Sequence, residues 1–317
     1  MAAKVTGDAG LRRAVAGWIA RLHDQTTEYF TQLDRGGSFR EDRWERPGGG
    51  GGVSRVLSDG VTFEKAGVNR SSVEGVLDPQ LAQRIGARTS GLEPLSFSVC
   101  GLSIVIHPRS PLVPTVHLNV RYFEIARPTG ETVDAWFGGG TDLTPTYPFP
   151  EDASHFHRTL KGTCDRHHPM FYPRFKTWCD HYFVNTHRAD ERRGIGGIFF
   201  DNLRAGESGL SLPRLFDFVT RIGEVLPEAY GPLVERRRSL SFGERERHFQ
   251  LVRRGRYAEF NLLHDRGTLF GLQTGARIES VLMSLPPEAA WDYSPVYQPG
   301  SFESELLAML EPRDWTV

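Results

Sequence analysis

Cysteine is scarce: Cys100, Cys164 and Cys179 are the only three in 317 residues, and no two stand at C-x-x-C spacing. That excludes a disulfide framework and leaves no triple-cysteine cradle for the iron–sulfur cluster of a radical enzyme. Long apolar runs are missing too. SIVIH at 103–107 and GIFF at 197–200 fall far short of the roughly 18 residues that a membrane-spanning helix needs. Neither sign of charge is in excess, with 38 Lys plus Arg against 39 Asp plus Glu. Nothing global therefore points to nucleic acid or to a membrane surface. Neither G-x-G-x-x-G nor G-x-x-x-x-G-K-[ST] occurs, so nicotinamide, flavin and nucleotide have no signature here. No organic cofactor is expected.

What is present is an ordinary globular mixture, 39% apolar and 24% charged. Length alone suggests about two domains, yet no Pro/Ser-rich linker divides the chain and no repeat is visible. The glycine run at 48–52 is the one low-complexity patch. Near the start, Leu11, Val15, Trp18, Ile19 and Leu22 recur at helical spacing, which predicts a first helix and not a signal peptide. The expected location is the cytoplasm.

Residues 53–70 read as extended. Phe97 to Ile106 alternates, with a phase slip at Gly101 that suggests a bulge, and His117 to Ile125 alternates again. The prolines of HPRSPLVP between them favour a bend, so the two segments predict an antiparallel hairpin. Residues 151–164 and 172–187 read as helices, GIFFD as a buried strand ending at Asp201, and the segment from Pro213 to Leu226 as a helix. RYAEFNLL (256–263) and RIESVLMSL (277–285) read as strands. Hairpins interleaved with helical pairs, without a βαβ rhythm, predict an α+β chain with an antiparallel sheet covered by helices.

In the hairpin, His117, Asn119 and Arg121 share one face and Val116, Leu118, Val120 and Tyr122 the other, while Ser103 and His107 share a face of the preceding strand. Two even-register pairings gather the five polar residues on one surface. A solvated sheet face and a binding site both fit that pattern. WFGGGTDLTP (136–145) also carries two readings: a tight turn with Asp142 as its cap, or a carboxylate held near a ligand that the glycines allow close. The segment 235–256 holds eight arginines against three glutamates. With few aromatics among them, it suits a field for an anionic substrate, dimer contacts or structural ion pairs.

HLNVRYFE (117–124), WFGGGTDLTP (136–145), YPRFKTWCDHYF (172–183), RGIGGIFFD (193–201), the stretch 230–263 and DRGTLFGLQTGARIESVLMSLPP (265–287) closely resemble the oxygen-dependent coproporphyrinogen III oxidases. WERPGGGGGVSRVL (44–57) and FEKAGVN (63–69) do so too. The resemblance runs colinearly from about Trp44 to Tyr293. Departures are few: Thr146 and His264 replace common aromatics, and His168 and His181 replace acids.

The resemblance implies a single domain built on a large antiparallel sheet of roughly seven strands, sandwiched between helices and assembled as a homodimer. It implies oxidative decarboxylation of two propionates of coproporphyrinogen III to vinyl groups, giving protoporphyrinogen IX, CO2 and H2O2, with dioxygen as co-substrate. Four propionates call for guanidinium forks, and Arg121, Arg193, Arg266 and Arg277 are the candidates. Asp142 suits the pyrrole N–H groups and the charge of the oxidised ring. His117 resembles the family's proposed proton donor. Ser103, Asn119, Val120, Arg121 and Gly275, Ala276, Arg277 resemble its substrate contacts. His107, His117, His157 and His187 match four histidines proposed as ligands of a divalent metal such as manganese in bacterial members. Imidazole suits manganese less well than carboxylate or water, and hydrogen-bonding or propionate-binding histidines are the other reading. A mononuclear metal hydrolase and a non-catalytic tetrapyrrole carrier are the rival functions. The first would work without oxygen, and the second would release no carbon dioxide.

Overall fold

Alternation sorts the hairpin's side chains onto two faces of one sheet. The computed structural model describes residues 9–89, 94–273 and 276–317. In it Leu102, Ile104, Ile106, Val116, Leu118 and Val120 are each at most 1% exposed. They share the core side, and Ser103, His107, His117, Asn119 and Arg121 share the other.

The sheet strands are β1 Arg40–Glu45, β2 Gly50–Ser58, β3 Phe63–Leu77, β4 Leu95–Pro108, β5 Thr115–Ala126 and β6 Thr132–Thr144. A two-residue ribbon, β7 Val184–Asn185 with β8 Glu191–Arg192, precedes the last, β9 Gly197–Leu203. The order is β1-β2-β3-β4-β5-β6-β9, and every neighbouring pair is antiparallel. β6 and β9 approach too closely for side chains at two points. A Cβ on Gly140 (φ 155°) would lie 2.3 Å from the Ile198 carbonyl oxygen, and one on Gly197 (φ 159°) 2.1 Å from that of Thr141. Only glycine fits there.

The helices are α1 Ala9–Asp34, α2 Pro79–Arg84, α3 Pro150–Asp165, α4 Phe171–Tyr182, α5 Leu212–Gly223, α6 Leu226–Ala229, α7 Gly231–Arg237, α8 Glu244–Leu263, α9 Arg266–Gln273, α10 Ile278–Leu282 and α11 Phe302–Met309. Proline stands in the first turn of α2, α3, α5, α6 and α7, where its missing N–H costs nothing. Val15, Trp18, Ile19 and Leu22 of α1 and Leu215, Phe218, Val219 and Ile222 of α5 recur every three or four residues and bury against the apolar face. Each contributes about 1.5–3 kcal/mol by leaving water. On the opposite face Phe260 of α8 packs with Phe183 and Phe199, and Met283 lies over Gly67. Helices thus cover both sides of the sheet, as expected.

Several local expectations are corrected. Residues 256–263 belong to α8 and 278–282 form α10, so neither segment is a strand. Tyr257, Phe260 and Asn261 are buried at i, i+3 and i+4, a helical stripe that an eight-residue window also reads as alternation. Gly101 carries no bulge: its register runs evenly to Ser71 and Arg121, and the shifts lie at Phe63/Lys65, Ile125/Ala126 and Phe137/Gly139. The helix expected over 172–187 stops at Tyr182, where β7 and a 3-10 turn at Thr186–Arg188 follow. WFGGGTD lies within β6, which removes the tight-turn reading of Asp142.

Candidate active site

Cross-strand register assembles the polar face. Ser103 stands opposite Asn119, Gly101 and Gly138 flank Arg121, and His117 stands opposite Asp142. The imidazole Nδ1 of His117 lies 2.8 Å from Asp142 Oδ1. The other oxygen, Oδ2, accepts from Arg193 Nη2 at 2.6 Å. Burial alone would push the Asp142 carboxyl up, but the Arg193 guanidinium and the His117 hydrogen bond hold it below the usual carboxylate range. An ionised carboxylate only accepts, so Nδ1 is the donor and a neutral His117 carries its lone pair on Nε2. The His117 side chain is 21% exposed, against 2% for Asp142.

Arg193 is buried in an aromatic box. Its guanidinium sits 4.0 Å from the Phe183 ring centre, 4.5 Å from Tyr257 and 4.9 Å from Phe260, and its Nη1 donates to Asn261 Oδ1 at 3.0 Å. At 2% exposure it lies beneath the face, with its guanidinium bonded to Asp142 and Asn261. Asp142 is likewise engaged at both oxygens.

Arg121 is half-buried on the face itself. It donates to Asn119 Oδ1 at 3.1 Å and pairs with Asp201 at 2.9 Å, where Arg266 also arrives at 3.8 Å. Arg266 is 59% exposed and lies over the Tyr182 and Phe199 rings. A Cβ on Gly138 would lie 2.7 Å from Arg121 Nε and 2.8 Å from Asp201 Oδ1, so the glycine is what lets Arg121 cross β6 to reach Asp201.

Arg277 stands over the far side of the same face. It pairs with Asp42 of β1 at 2.5 Å, while Ser280 meets Ser54 of β2 at 2.8 Å. From β1 to β5 is four strand spacings, roughly 19 Å. The face is broad, with guanidinium groups toward both sides. Ala276 is half-buried beside Arg277, and Gly275 lies outside the described residues. The Val120 side chain points into the core, so only its backbone is available to the face.

The arginine-rich run takes the structural alternative. Arg237 joins Glu151 and Asp152, Arg245 joins Glu303 at 2.7 Å, Arg247 and Arg254 share Glu64 at 2.7 Å, and Arg253 joins Glu191. These pairs fasten α7 to α3, and α8 to β3, β8 and α11.

The four histidines expected as metal ligands are not brought together. His107 is buried with Nε2 2.8 Å from the Ser284 carbonyl oxygen. His157, on α3, sits between Tyr172 Oη at 2.9 Å and the Ile195 carbonyl oxygen at 3.1 Å. His187 meets His264 at 2.7 Å and Glu259 at 3.0 Å. They come from different elements, each with protein partners, and no group of three or more His, Cys, Asp or Glu among the described residues is placed to hold a metal ion. The residues do not fit the proposed centre.

Asp201, Asn261, Phe183 and Tyr257 escaped the sequence reading as site residues. Asp201 ends the strand that reads as GIFFD, and pairing that strand with β6 would have aligned it with Arg121. The aromatic box has no such local signal. Of the departures, Thr146 donates to the Pro111 carbonyl at 2.6 Å and His181 bonds the Thr177 carbonyl of its own helix at 2.7 Å. His168 packs on Phe171, and His264 stacks on His187.

Comparison with known proteins agrees along nearly the whole chain. A family model described as coproporphyrinogen III oxidase matches residues 14–315. Coproporphyrinogen-III oxidase 1, chloroplastic, of Arabidopsis thaliana is 46% identical over 316 residues, covering 98% of this chain and 81% of that protein. The oxygen-dependent coproporphyrinogen-III oxidase of Drosophila melanogaster is 52% identical over 285 residues, covering 88% of this chain and 72% of that protein.

Proposed function

The chain belongs to the coproporphyrinogen III oxidase family, and from that premise we propose how its polar sheet face performs the reaction. The enzyme is an oxygen-dependent oxidoreductase of haem and porphyrin biosynthesis. Each turn converts one propionate: R–CH2–CH2–COOH plus O2 gives R–CH=CH2, CO2 and H2O2. Two turns on coproporphyrinogen III give protoporphyrinogen IX.

The observation that carries this reading is the relay of His117, Asp142 and Arg193 at the centre of a broad face edged by arginines. The tetrapyrrole lies over β4–β6 with its propionates toward Arg121 and Arg266 on one side and Arg277 on the other. Ser103 and Asn119 supply hydrogen bonds between them. His117 Nε2 takes up a pyrrole N–H proton as the ring is oxidised and returns it to reduced dioxygen. Asp142 fixes the tautomer and steadies the imidazolium, and Arg193 keeps that carboxylate ionised out of water. Dioxygen takes the electrons directly from the electron-rich ring, so the protein contributes position and electrostatics. No step is routed through a metal.

The chain acts as a single domain, since one sheet carries the whole site. Two copies associate through the stretch Tyr257 to Pro287, where Leu262, Leu263 and Ile278 are exposed. Among the described residues no helix is long and apolar enough to cross a membrane. Three free, buried cysteines suit the reducing cytoplasm.

The test is an assay with coproporphyrinogen III that follows CO2 release and, after oxidation, porphyrin fluorescence. Two CO2 per substrate in air and none without oxygen is the expected result. Turnover without oxygen, or binding without CO2 release, overturns the reading.

A further inference from the structure

We propose that the opposite face of the sheet carries a second binding site, for a small organic carboxylate, built around Arg70. A cleft of about 380 Å³ opens there between α1 and strands β2–β4, within the range of small-molecule sites. Register sets its floor: Val53 pairs with Arg70, and Ser72 with Cys100, so all four turn to the α1 side of the sheet. Ala16 and Ile19 of α1 form the apolar wall.

Arg70 is the exception among the half-buried arginines. Arg55 pairs with Asp24 and Glu41, Arg121 with Asp201, Arg247 with Glu64 and Arg277 with Asp42. Among the described residues the Arg70 guanidinium has no hydrogen-bond or ion-pair partner. A guanidinium that gives up part of its hydration is ordinarily repaid by a carboxylate or phosphate. Its neighbours do not supply one. The carboxylates near Arg55 are already engaged by that residue. His23 on α1 is buried and neutral, its pKa held at about 4 by burial first and then by the Arg55 and Arg70 charges. Glu74 lines the same cleft four residues along β3, about 13 Å away by strand rise, and forms no ion pair with Arg70.

The cleft therefore has a cationic end at Arg70, a hydroxyl at Ser72, an apolar side along Ile19, Ala16 and Val53, and the Glu74 carboxylate about 13 Å along β3 from the cationic end. That combination fits a carboxylate with a short hydrocarbon portion. The two faces of β3–β5 are thus divided: the tetrapyrrole face carries Ser103 and Arg121, and the α1 face carries Arg70.

Butyrate is the probe, titrated calorimetrically into the wild-type protein and into Arg70→Met and Arg121→Met. Saturable binding by wild type and by Arg121→Met, weakened at least tenfold in Arg70→Met, is the expected pattern. Acetate should bind roughly tenfold more weakly than butyrate, for two fewer buried methylenes. Arg70→Met breaks no pairing and should show the wild-type circular dichroism. No saturable binding by wild type overturns the proposal. So does binding that survives Arg70→Met and disappears in Arg121→Met, which places the carboxylate on the tetrapyrrole face.

Discussion

His117 and Asp142 stand directly opposite each other on β5 and β6, with Nδ1 2.8 Å from Oδ1. The contact needs no loop and no induced fit, because two antiparallel strands in fixed register place it. A one-residue slip of either strand would send one of the two side chains into the core.

Asp142→Asn tests what the charge does. The amide keeps the shape and can still accept from Nδ1, but it no longer balances an imidazolium or Arg193. We expect kcat to fall about 100-fold, the scale of losing one preorganised electrostatic group at ~3 kcal/mol. Both decarboxylations should slow alike, since each propionate visits the same site. Near-normal CO2 release from a folded variant would remove Asp142 from the mechanism.

Arg121 and Arg193 should separate in kinetics and stability. Arg193→Met strands the Asp142 carboxylate in a dry site, and breaking such a pair costs about 3–5 kcal/mol. Its main effect should appear in urea unfolding. Arg121→Met lies on the open face and should raise KM with little change in unfolding midpoint. The reverse pattern, a KM effect for Arg193→Met without loss of stability, would make Arg193 the residue that grips substrate.

Activity should persist after exhaustive chelation, with metal content checked by elemental analysis. His107, His157 and His187 each bond protein groups from different elements, and of the two histidines on the polar face His107 is buried while His117 is partly exposed. Loss of turnover restored by manganese alone would show that these side chains rearrange around an ion.

The sequence announces the parts of this fold whose side chains alternate cleanly. Leu102–Ile106 and Val116–Val120 reveal both the hairpin and its polar face, because a strand with one dry side needs period two. The end of α8 misleads for the same reason: over eight residues Tyr257, Phe260 and Asn261 fit either period. What stays hidden is pairing at a distance. Nothing near Arg193 in the chain shows that Phe183, Tyr257 and Phe260 close around it. Nor does the arginine run show that its partners are Glu64, Glu151, Glu191 and Glu303. Resemblance places Arg193 and Arg121 in one class, whereas burial divides them.

Three buried histidines should make the protein lose stability as pH falls, well before its carboxylates titrate. Burial holds His157 down to about 3 against the opposing pull of the Ile195 carbonyl and the Asp314 charge, and holds His23 near 4. His107 is driven the same way by burial and then by Arg254. Each depressed value means that the unfolded chain binds a proton near pH 6.5 that the folded chain refuses. The stabilisation is therefore complete above about pH 7 and declines as pH falls from there toward the folded values. Each histidine contributes up to about 1.4 kcal/mol per pH unit in that window. Asp142, with a lowered value, adds its loss only below the ordinary carboxylate range near 4. Between pH 6.5 and 4.5 the slope thus belongs to the histidines. Urea unfolding across this interval should show it, and His157→Asn, uncharged at every pH, should flatten the slope by about one proton. Proton NMR of the wild type should find the His157 ring still neutral at pH 5. An unchanged slope in the variant, or a ring that protonates near 6.5 in the folded protein, would mean that water reaches His157 and that its burial does not set the acid limit.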